Sequence, residues 1–592
     1  MLLLQCVTLI LGLPTAAVDL GGFTGDPSET SCAVTGPPTV TSTRPASEST
    51  GVPLHQTLTA TFSDAMDPAT ITPFTFKVMG PDKTPIQGAV RFDGPSRTAT
   101  FAPSAALAPD RRYTAAIAAE VRDLAGNGLT ADFRWSFTTG AAAQEGQKPI
   151  MSLEKEADFS YVIPAIEIIG FEVALNAFDR HTQEDPAYAV DWSTIKHNLS
   201  HGWEFDTDPF ATNQFMHPYS GSIYFGFARA SGLSFWESLA YTFVGSMVWE
   251  YAGETGPPSI NDQISTTLAG SFLGEALFRM AHLLLSSGGE RPGFWRELGA
   301  AVIAPPTGFN RNLLCGRFND VFPDNDPAVF ARLRFGGSLN TQLSDNGPTK
   351  SVTRKEAVAD FSLSYGLPGK PGYVYRRPFD YFHFEATASS STNATFENIM
   401  TRGLLAGAAY QEGSNYRGIW GLYGSYDYIS PEVFRISSTA LSLGTTGQLW
   451  LSRGVALQGT ASGGVGFGAS GTVAPVGDRD YHYGTIPQAL IAFRLIFGDV
   501  AMLDLTARGY YVTGVGIDDR HGHEDILRAQ TSFTVRIYGP HALGIQYVAS
   551  ERDANYSGIP DRHQTMGTIS LVYNFLGDPR FGAVEWRNLE GN

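Results

Sequence analysis

The sequence is poor in cysteine and in charged side chains, and both shortages limit what the protein can be. Three cysteines occur among 592 residues, which is too few for a disulfide framework or a cysteine-based metal site. Charged residues make up 17% of the chain, and the net charge is −17. This acidic balance argues against nucleic acid as a partner. The chain has instead 64 glycines and 12% aromatic residues, a mixture typical of large β proteins.

Two further absences concern membrane helices and enzymes. Past the N-terminus, no apolar run reaches the ~20 residues of a classical membrane-spanning helix without an acidic or basic residue near its middle. The central segment contains no HExxH, GxSxG or phosphate-loop motif. We therefore expect no cofactor and no metal, and we favour a non-enzymatic role while leaving the question of an enzyme open.

The N-terminus has the pattern of an export signal. Residues 1–17, MLLLQCVTLILGLPTAA, form an apolar run that ends in small residues, with Ala17 before the expected cleavage point. Residues 18–36 are rich in Gly, Ser, Thr and Pro and are expected to form a linker. The rest of the chain is therefore predicted to lie outside the cytoplasm.

Residues 37–140 show short alternating runs that are separated by turn signals. Phe133, Trp135 and Phe137, for example, share one face of a strand. Strands at this spacing predict a β-sandwich.

The pieces PASESTGVPLHQTLTATFSDAMDPATI and VRDLAGNGLTADFRWSFTTG make this segment resemble the SbsA-type bacterial Ig-like domain over its whole length. The resemblance implies a spacer or adhesion-like module outside the cytoplasm. Asp64, Asp67 and Asp123 could be read as a calcium site, but we interpret them as acids that cap turns.

A helical pattern replaces the strand pattern in residues 158–290, after a polar linker. Gly232 and the run from Gly253 to Pro258 are the expected breaks between helices. The apolar spacing predicts helices over 161–180 and near 218–231, 234–252 and 261–286. We therefore predict a small helical domain in the middle of the chain.

Polar residues interrupt these apolar helices and form the candidate site. His217, Glu250, Asp262 and Glu275 could act together as an acid/base or metal site. A buried hydrogen-bond network is the simpler interpretation of the same residues. The sequence alone does not decide between the two.

The spacing of the charged residues suggests how they could be partnered. Glu275 and Arg279 are placed as an ordinary i,i+4 ion pair. Glu250 and Glu254 lie one turn apart and repel, unless one of them faces a basic residue or shares a proton. We predict a structural polar network that contains Asn213, Arg229, Glu254 and Arg279.

The stretches NQFMHPYSGSIYFGFARASGLSFWES and SMVWEYAGETGPPSINDQISTTLAGSFLGEALFR make residues 165–285 resemble the domain of unknown function 3943 family of Gram-negative envelope proteins. The family has no assigned activity, so the resemblance implies a cellular location rather than a reaction. Its fingerprint positions, carried over to this chain, are Asn213, His217, Pro218, Gly221, Trp249, Glu250, Asp262, Gly274 and Glu275.

From about residue 330 the apolar period becomes two. Leu503 and Leu505, for example, oppose Asp504 and Thr506. About 12 such runs follow, most of them about 10 residues or longer, with charged polar faces and aromatic residues near their ends, as in membrane β-barrels. Closure would also remove exposed strand edges. We predict an antiparallel outer-membrane barrel of about 12 strands over 330–577, with insertions such as 369–379 as external loops. A soluble double sheet is the alternative.

These parts predict a multidomain envelope protein: an Ig-like β-sandwich, a small α-helical domain and a β-barrel. The leading hypothesis is an outer-membrane protein with a structural or transport-associated role, whose helices plug or flank the barrel, and we expect them at its periplasmic mouth. The alternatives are an enzyme that acts on lipid or cell wall through His217, Glu250, Asp262 and Glu275, and an adhesin-like surface display protein. Outer-membrane lipid and envelope or cell-wall components are the expected partners. The N-terminal domain is expected to be periplasmic or surface-exposed.

Overall fold

The protein divides into two compact units, residues 1–150 with 285–296, and residues 151–284 with 297–592. The expected signal peptide, the N-terminal linker and the linker at 141–157 lie outside the residues that the structure describes. The structure is a computed structural model that describes residues 37–140 and 159–586, except for 53, 55, 95–96, 106, 183–185, 207, 288–291, 315–316, 319–326, 348, 353–355, 371, 391–395, 414, 432–433, 473–480, 515–520, 558–559 and 578–579.

The first unit contains the expected β-sandwich. One sheet has the strand order β1-β3-β6-β5 and the other β2-β8-β7-β4. Alternate residues face inward, as Leu58, Ala60 and Phe62 do in β3, and they pack with Trp135 and Phe137 of β8 into one apolar core. The strands are β1 (Val40–Arg44), β2 (Ser49–Val52), β3 (Leu58–Phe62), β4 (Phe76–Met79), β5 (Gly88–Asp93), β6 (Thr98–Pro103), β7 (Arg112–Ile117) and β8 (Phe133–Thr139).

Two of the sandwich's aspartates have the turn-capping role that we expected. Asp67 Oδ1 accepts a hydrogen bond from the amide of Ala69, at the start of a short 3-10 helix. Asp123 accepts from both the amide and the side-chain Nδ2 of Asn127. These hydrogen bonds hold the pKa of Asp123 below its usual range, the side-chain bond from Asn127 having the largest effect.

The second unit begins with helices whose ends carry recognisable caps. Ser234 and Glu237 form a reciprocal capping box at the start of α4, and Ser259 caps α5. The helices are α1 (Val162–Thr182), α2 (Trp192–Ser200), α3 (His217–Ala230, preceded by a π-helical turn Thr212–Met216), α4 (Phe235–Ala252), α5 (Ile260–Ile264), α6 (Gly270–Ser286), α7 (Phe294–Ile303) and α8 (Pro305–Leu313).

α5 and α6 are joined by a π-helical segment, Ser265–Ala269, into one long helix over Ile260–Ser286. By length and composition, this is the one helix among the described residues that could cross a membrane, and 78% of its apolar window is buried in the protein. At 1.5 Å per residue it is about 40 Å long. α3 runs alongside it, and Gly221 and Gly270 let the two backbones approach closely.

The helical region extends further than the sequence pattern predicted. α7 and α8 continue it to Leu313, whereas we placed its end at residue 290. The run of Ser, Gly and Pro after the long helix resembles the end of a domain, but it only separates two helices. Pro305 and Pro306 then begin α8. Amide hydrogens in the first turn of a helix have no partner within the helix, so proline, which lacks this hydrogen, loses no hydrogen bond there.

The C-terminal part is a closed antiparallel barrel of 12 strands, which confirms the predicted fold class. β9 and β11–β21 pair in chain order, and β21 pairs back with β9. The strands are β9 (Val329–Asp345), a short β10 (Lys350–Val352), β11 (Ala357–Tyr365), β12 (Phe382–Ser389), β13 (Phe396–Glu412), β14 (Tyr416–Ile429), β15 (Phe434–Ser452), β16 (Val455–Thr472), β17 (Tyr481–Phe497), β18 (Ala501–Thr513), β19 (Gly522–Tyr538), β20 (His541–Tyr556) and β21 (Arg562–Leu576).

The two ends of the barrel differ in their connections. At one end, here called the turn end, the strands are joined by short connections such as 453–454 and 539–540, and the barrel's first and last residues also lie there. At the opposite loop end the connections include 473–480 and 514–521. The segment 366–381, which contains the predicted external loop 369–379, joins β11 to β12 at the turn end.

Strand alternation separates an outward face from an inward one. Leu443, Val465, Phe493 and Leu571 point outward and are exposed, Leu443 by 68%. Inward positions carry many buried charged side chains, for example Arg332 and Asp504 at 2.7 Å. This is the arrangement of a barrel whose outside meets lipid and whose inside is polar.

The helices pack against the outward face of the barrel wall. Phe382 and Tyr426 share the outward parity of the exposed residues, yet both are 0% exposed because helices cover them. Phe272 of the long helix packs directly on Gly424 of β14. A Cβ added to this glycine would lie 2.5 Å from the ring of Phe272. Of the two expected arrangements, the helices flank the barrel and do not plug it. They lie along its side, and not at its mouth as we expected.

The chain's own C-terminal segment enters the barrel at the turn end. Phe581 and Val584 are buried against inward side chains such as Ile496 and Met502. Gln458 Nε2 donates to the carbonyl of Gly582 at 2.7 Å, and Trp450 Nε1 donates to that of Glu585 at 3.0 Å. An apolar layer thus fills this end of the lumen.

Candidate functional site

The polar residues of the helical region form two clusters at different positions along the long helix. The upper cluster surrounds Asp262, near the barrel's loop end. The lower cluster surrounds Glu275, near the turn end. Thirteen residues separate the two acids on this helix, which corresponds to about 20 Å.

Asp262 and His217 approach each other in the upper cluster. His217 Nε2 lies 4.0 Å from Asp262 Oδ1, and His217 Nδ1 lies 3.2 Å from Thr266 Oγ1. Asp262 Oδ1 also accepts a hydrogen bond from Asn261 Nδ2 at 3.0 Å. Because α3 and the long helix run side by side, the two residues meet although 45 positions separate them.

Glu250 and Glu254, from the end of α4 and the turn after it, have separate partners. Glu250 Oε2 accepts from the amide of Ser259 at 2.7 Å, and Glu254 Oε1 accepts from Trp249 Nε1 at 2.8 Å. Glu250 is buried with Asp262 close by. The two glutamates are therefore tied to the connection between α4 and the long helix.

Two barrel tyrosines complete the upper cluster, and sequence reasoning missed both. Asn213 Nδ2 donates to Tyr483 Oη at 3.0 Å, and Asn261 Nδ2 donates to the same oxygen at 2.8 Å. Tyr481 Oη donates to the carbonyl of Asp208 at 2.6 Å. Both tyrosines occupy outward positions of β17, but nothing in the strand pattern indicates that helices cover them.

Asp206, in the loop before α3, also belongs to this cluster. Its side chain accepts from Asn213 Nδ2 at 3.3 Å, and its amide donates to Asn261 Oδ1 at 2.8 Å. The upper cluster thus combines several carboxylates with one histidine, and amide and phenol groups supply most of its hydrogen bonds. Such a set can hold and share protons, and the hydroxyl of Thr266 lies within hydrogen-bond distance of its histidine.

The lower cluster is a chain of ion pairs. The carboxylate of Glu275 accepts from Arg229 Nε at 2.7 Å and from Arg279 Nε at 2.8 Å. Arg279 Nη1 in turn lies 3.1 Å from Asp380 Oδ1, and its Nη2 donates to the carbonyl of Pro378. Asp380 belongs to the segment before β12, so this cluster links the helices to the barrel.

The four residues considered as a site therefore separate into two groups. His217, Glu250 and Asp262 lie in the upper cluster, and Glu275 lies in the lower one. Of the residues expected in a structural network, Asn213 and Glu254 lie in the upper cluster, and Arg229 and Arg279 lie in the lower one. Asp380 and the tyrosines of β17 come from distant parts of the chain.

The barrel interior holds a second polar region. A small polar cavity of about 80 Å³ is lined by His383, Glu385, Arg402 and Arg508, among others. Asp504 lies on its wall between Arg332 and Arg494, at 2.7 Å from each. Toward the loop end, an apolar layer that includes Phe434, Ile486 and Val512 follows. The lumen is thus built from a charged middle between two apolar layers.

Among the described residues, one group of side chains has the spacing of metal ligands. Glu551, Asp553 and His563 place their ligand atoms within 4.8 Å of one another. They lie on β20 and β21 near the loop end, and each side chain is about half exposed. His563 Nδ1 is 2.5 Å from Asp553 Oδ1, so the pair already satisfies part of its hydrogen bonding.

Comparison with known families matches two segments of the chain. Residues 202–306 match the family described as a domain of unknown function, DUF3943, and residues 34–139 match the bacterial Ig-like domain family. Both resemblances drawn from the sequence are thereby confirmed. No curated protein matches the chain.

Several solved structures are similar to parts of the chain. The N-terminal part of the bacterial S-layer protein SbsC is 20% identical over 20% of this chain and 28% of that one, with a TM-score of 0.15. The toluene transporter TodX of Pseudomonas putida is 9% identical over 42% of this chain and 89% of that one, with a TM-score of 0.19. The KdgM porin is 9% identical over 41% and 98%, with a TM-score of 0.18.

Proposed function

We propose that this chain, which carries a bacterial Ig-like domain and a DUF3943 domain beside a 12-stranded barrel, is an outer-membrane anchor protein and not an open channel. The barrel and helices would hold the protein in the membrane, and the sandwich would be the part that meets envelope partners. Of the two expected envelope roles, we thus favour the structural one over transport.

The outward face of the barrel supports the membrane location. Strands β15–β21 present exposed apolar side chains to the outside, among them Leu441, Ile491, Leu505 and Ile545. Barrel strands that face water do not expose side chains of this kind in a continuous band, whereas lipid-facing strands do. In the middle of the strands, charged side chains such as Arg332 and Asp504 point inward instead.

The filled lumen is the observation that carries the anchoring role. Phe581 and Val584 close the turn end from within, and the middle layer is occupied by ion pairs such as Arg334 with Asp360 at 2.6 Å. A conducting barrel of comparable type needs a continuous water-filled path. Here apolar layers lie on both sides of a charged middle, which leaves a cavity of only about 80 Å³.

Conductance measurement tests this role. The full chain, reconstituted into planar bilayers, should show no stable conductance steps, while a porin inserted in the same way serves as the positive control. A chain truncated after Leu576 lacks the residues that close the turn end, so any ion leak should be larger in that variant. Stable, porin-sized steps from the full chain, unchanged by the truncation, would contradict the proposal.

We place the sandwich in the periplasm. α1 begins near the turn end, since Tyr161 Oη donates to Glu237 Oε1 at 2.8 Å and the adjacent Phe235 packs on Phe379 of the segment before β12. Short turns of outer-membrane barrels face the periplasm. Protease added to intact cells should therefore spare the sandwich and digest it only after the outer membrane is opened. Digestion in intact cells would favour surface display and the adhesin-like role.

The geometry gives the enzyme hypothesis less support. Glu275 is engaged by two arginines, 13 residues or about 20 Å along the long helix from Asp262. Asp262 and Glu250 are buried among amide and backbone partners. If lipid hydrolysis by the purified protein were nevertheless observed and abolished in His217→Ala, the enzyme would replace the anchor as the leading function.

A further inference from the structure

We propose that the helical region is itself embedded in the bilayer, and that the outer faces of α1 and α4 bind membrane acyl chains. The inference rests on the proposed outer-membrane location and goes beyond it. It assigns an interaction surface to the helices, which lack the uninterrupted apolar runs of ordinary membrane helices.

In α1, aliphatic side chains face away from the protein and acidic side chains face toward it, which is the reverse of a surface helix in a water-soluble protein. Val162, Ile166, Ile169 and Val173 recur at helical spacing on its exposed face. Glu172 points inward and is buried, and Glu167, also turned inward, lies against Asn310. A helix that directs its carboxylates toward the protein and its aliphatic side chains away from it is suited to an apolar solvent.

α4 presents the same kind of surface beside α1. Trp236, Phe243 and Val244 are exposed on its outer side, together with the small Ala240. The inner side carries Ser238, Thr242, Ser246 and Glu250, all of them buried. The two helices run parallel, since contacts advance in the same direction along both. Tyr161 bonds Glu237, Ile168 packs on Gly245, and Asn176 Nδ2 donates to the carbonyl of Gly253. Their exposed faces therefore belong to a single layer.

Continuity with the barrel identifies the occupant of this surface. The helices cover outward-facing residues of β11–β17, such as Phe384, Ala469 and Tyr483, whereas the outward residues of β18–β21 remain exposed. Wherever the wall is uncovered, acyl chains must contact it. The helical layer occupies the same side of the wall, so its own outer face meets the same acyl chains.

The buried polar clusters follow from this placement. Charged groups are costly inside a membrane and occur there paired and turned toward protein. Glu275 with its two arginines and Asp262 with its amide partners lie between the helices and the barrel wall, away from the exposed faces. The close backbone contact at Gly221 and Gly270 is likewise the small-residue packing that membrane helices use.

Spin labels at single cysteines test the proposal in the full chain. In a variant whose own cysteines are replaced by serine, Ile169→Cys and Val244→Cys report on the helical surface. Phe493→Cys reports on the exposed barrel wall, and Arg134→Cys reports on the water-exposed sandwich. In liposomes, collisions with oxygen measure lipid contact, and collisions with a water-soluble nickel chelate measure contact with water.

The ratio of oxygen to nickel collisions at Ile169 and Val244 should match that at Phe493 and exceed that at Arg134. A ratio that falls to the Arg134 level at both helical positions, with Phe493 unchanged, would overturn this inference and leave the barrel's location intact. A low ratio at Phe493 as well would overturn the outer-membrane location itself. Immobile labels that broaden one another would show that a second copy covers the face, and would also overturn the lipid assignment.

Discussion

Glu275 joins the helical region to the barrel, and replacing it should loosen that joint. Its carboxylate is 0% exposed and accepts hydrogen bonds from Arg229 and Arg279. Arg279 continues the chain of charges to Asp380 before β12. Glu275→Gln keeps the shape of the side chain but leaves two buried guanidinium groups with one carboxylate between them.

The expected loss is about 3–5 kcal/mol, the usual cost of breaking a buried ion pair from one side. This corresponds to roughly two to four orders of magnitude in the equilibrium between docked and undocked helices. With a urea dependence of about 2 kcal/mol per molar, the unfolding midpoint of the helices should fall by about 2 M. The measurement is a urea titration in detergent, followed by circular dichroism at the helical wavelength, with gel mobility showing that the barrel stays folded.

Glu297→Gln is the matched control. Glu297 also pairs with an arginine, at 2.6 Å from Arg311, but 27% of its side chain is exposed. Water can therefore replace the lost partner, and the expected cost is about 1 kcal/mol or less. Equal midpoints for wild type and Glu275→Gln, or equal losses in the two variants, would refute the argument that the buried cluster docks the helices.

Three further predictions follow from single contacts. Gly221→Ala places a Cβ 2.0 Å from a carbonyl oxygen of the long helix and should destabilise the helical region by about 1–3 kcal/mol in the same titration, whereas Gly170→Ala, in open space on α1, should be neutral or stabilising. Tyr483→Phe removes the oxygen that two buried asparagine amides donate to and should cost about 1–3 kcal/mol, again seen as a lower midpoint. In the sandwich, the lowered pKa of Asp123 contributes stability above its unfolded-state pKa, which is lost as the pH falls through the folded-state value, so Asn127→Ala should reduce the difference in melting temperature between neutral and acid pH.

The fold of each part could be predicted from the sequence because each part has a clear apolar period. Alternation at Leu503 and Leu505 fixes which side of a strand is apolar, and the number of such runs approximated the 12 strands. The helices near 218–231, 234–252 and 261–286 lie within a residue or so of their observed bounds. The sequence pattern was sufficient for the helix bounds and the strand faces, because both depend on residues that are close in the chain.

The placement of the helices could not be predicted in the same way. Tyr483 and Val465 have the same outward parity, and sequence alone cannot say that one is covered by helices and the other is exposed. Alternation shows that one face of a strand is apolar, but it does not show whether helices cover that face or leave it exposed. For the same reason, the sequence does not show that Phe581 and Val584 are buried inside the barrel.

The candidate site was only partly accessible from sequence. His217 and Asp262 were identified through their family resemblance and their place in apolar helices, and they approach each other in the structure. Tyr483, which bonds Asn261 from 222 residues away, could not have been found without the fold. The assumption that Glu275 belonged to the same site failed because its position along the helix was not considered.

The amount of detergent that the purified full chain binds tests the central claim most directly, since the claim is that barrel and helices share one belt in contact with lipid. We predict that the protein stays monodisperse only with detergent, and that the mass of bound detergent, measured by analytical ultracentrifugation, corresponds to a belt around both the uncovered strands and the outer faces of α1 and α4. A chain that is monodisperse in plain buffer with no bound detergent would contradict the account.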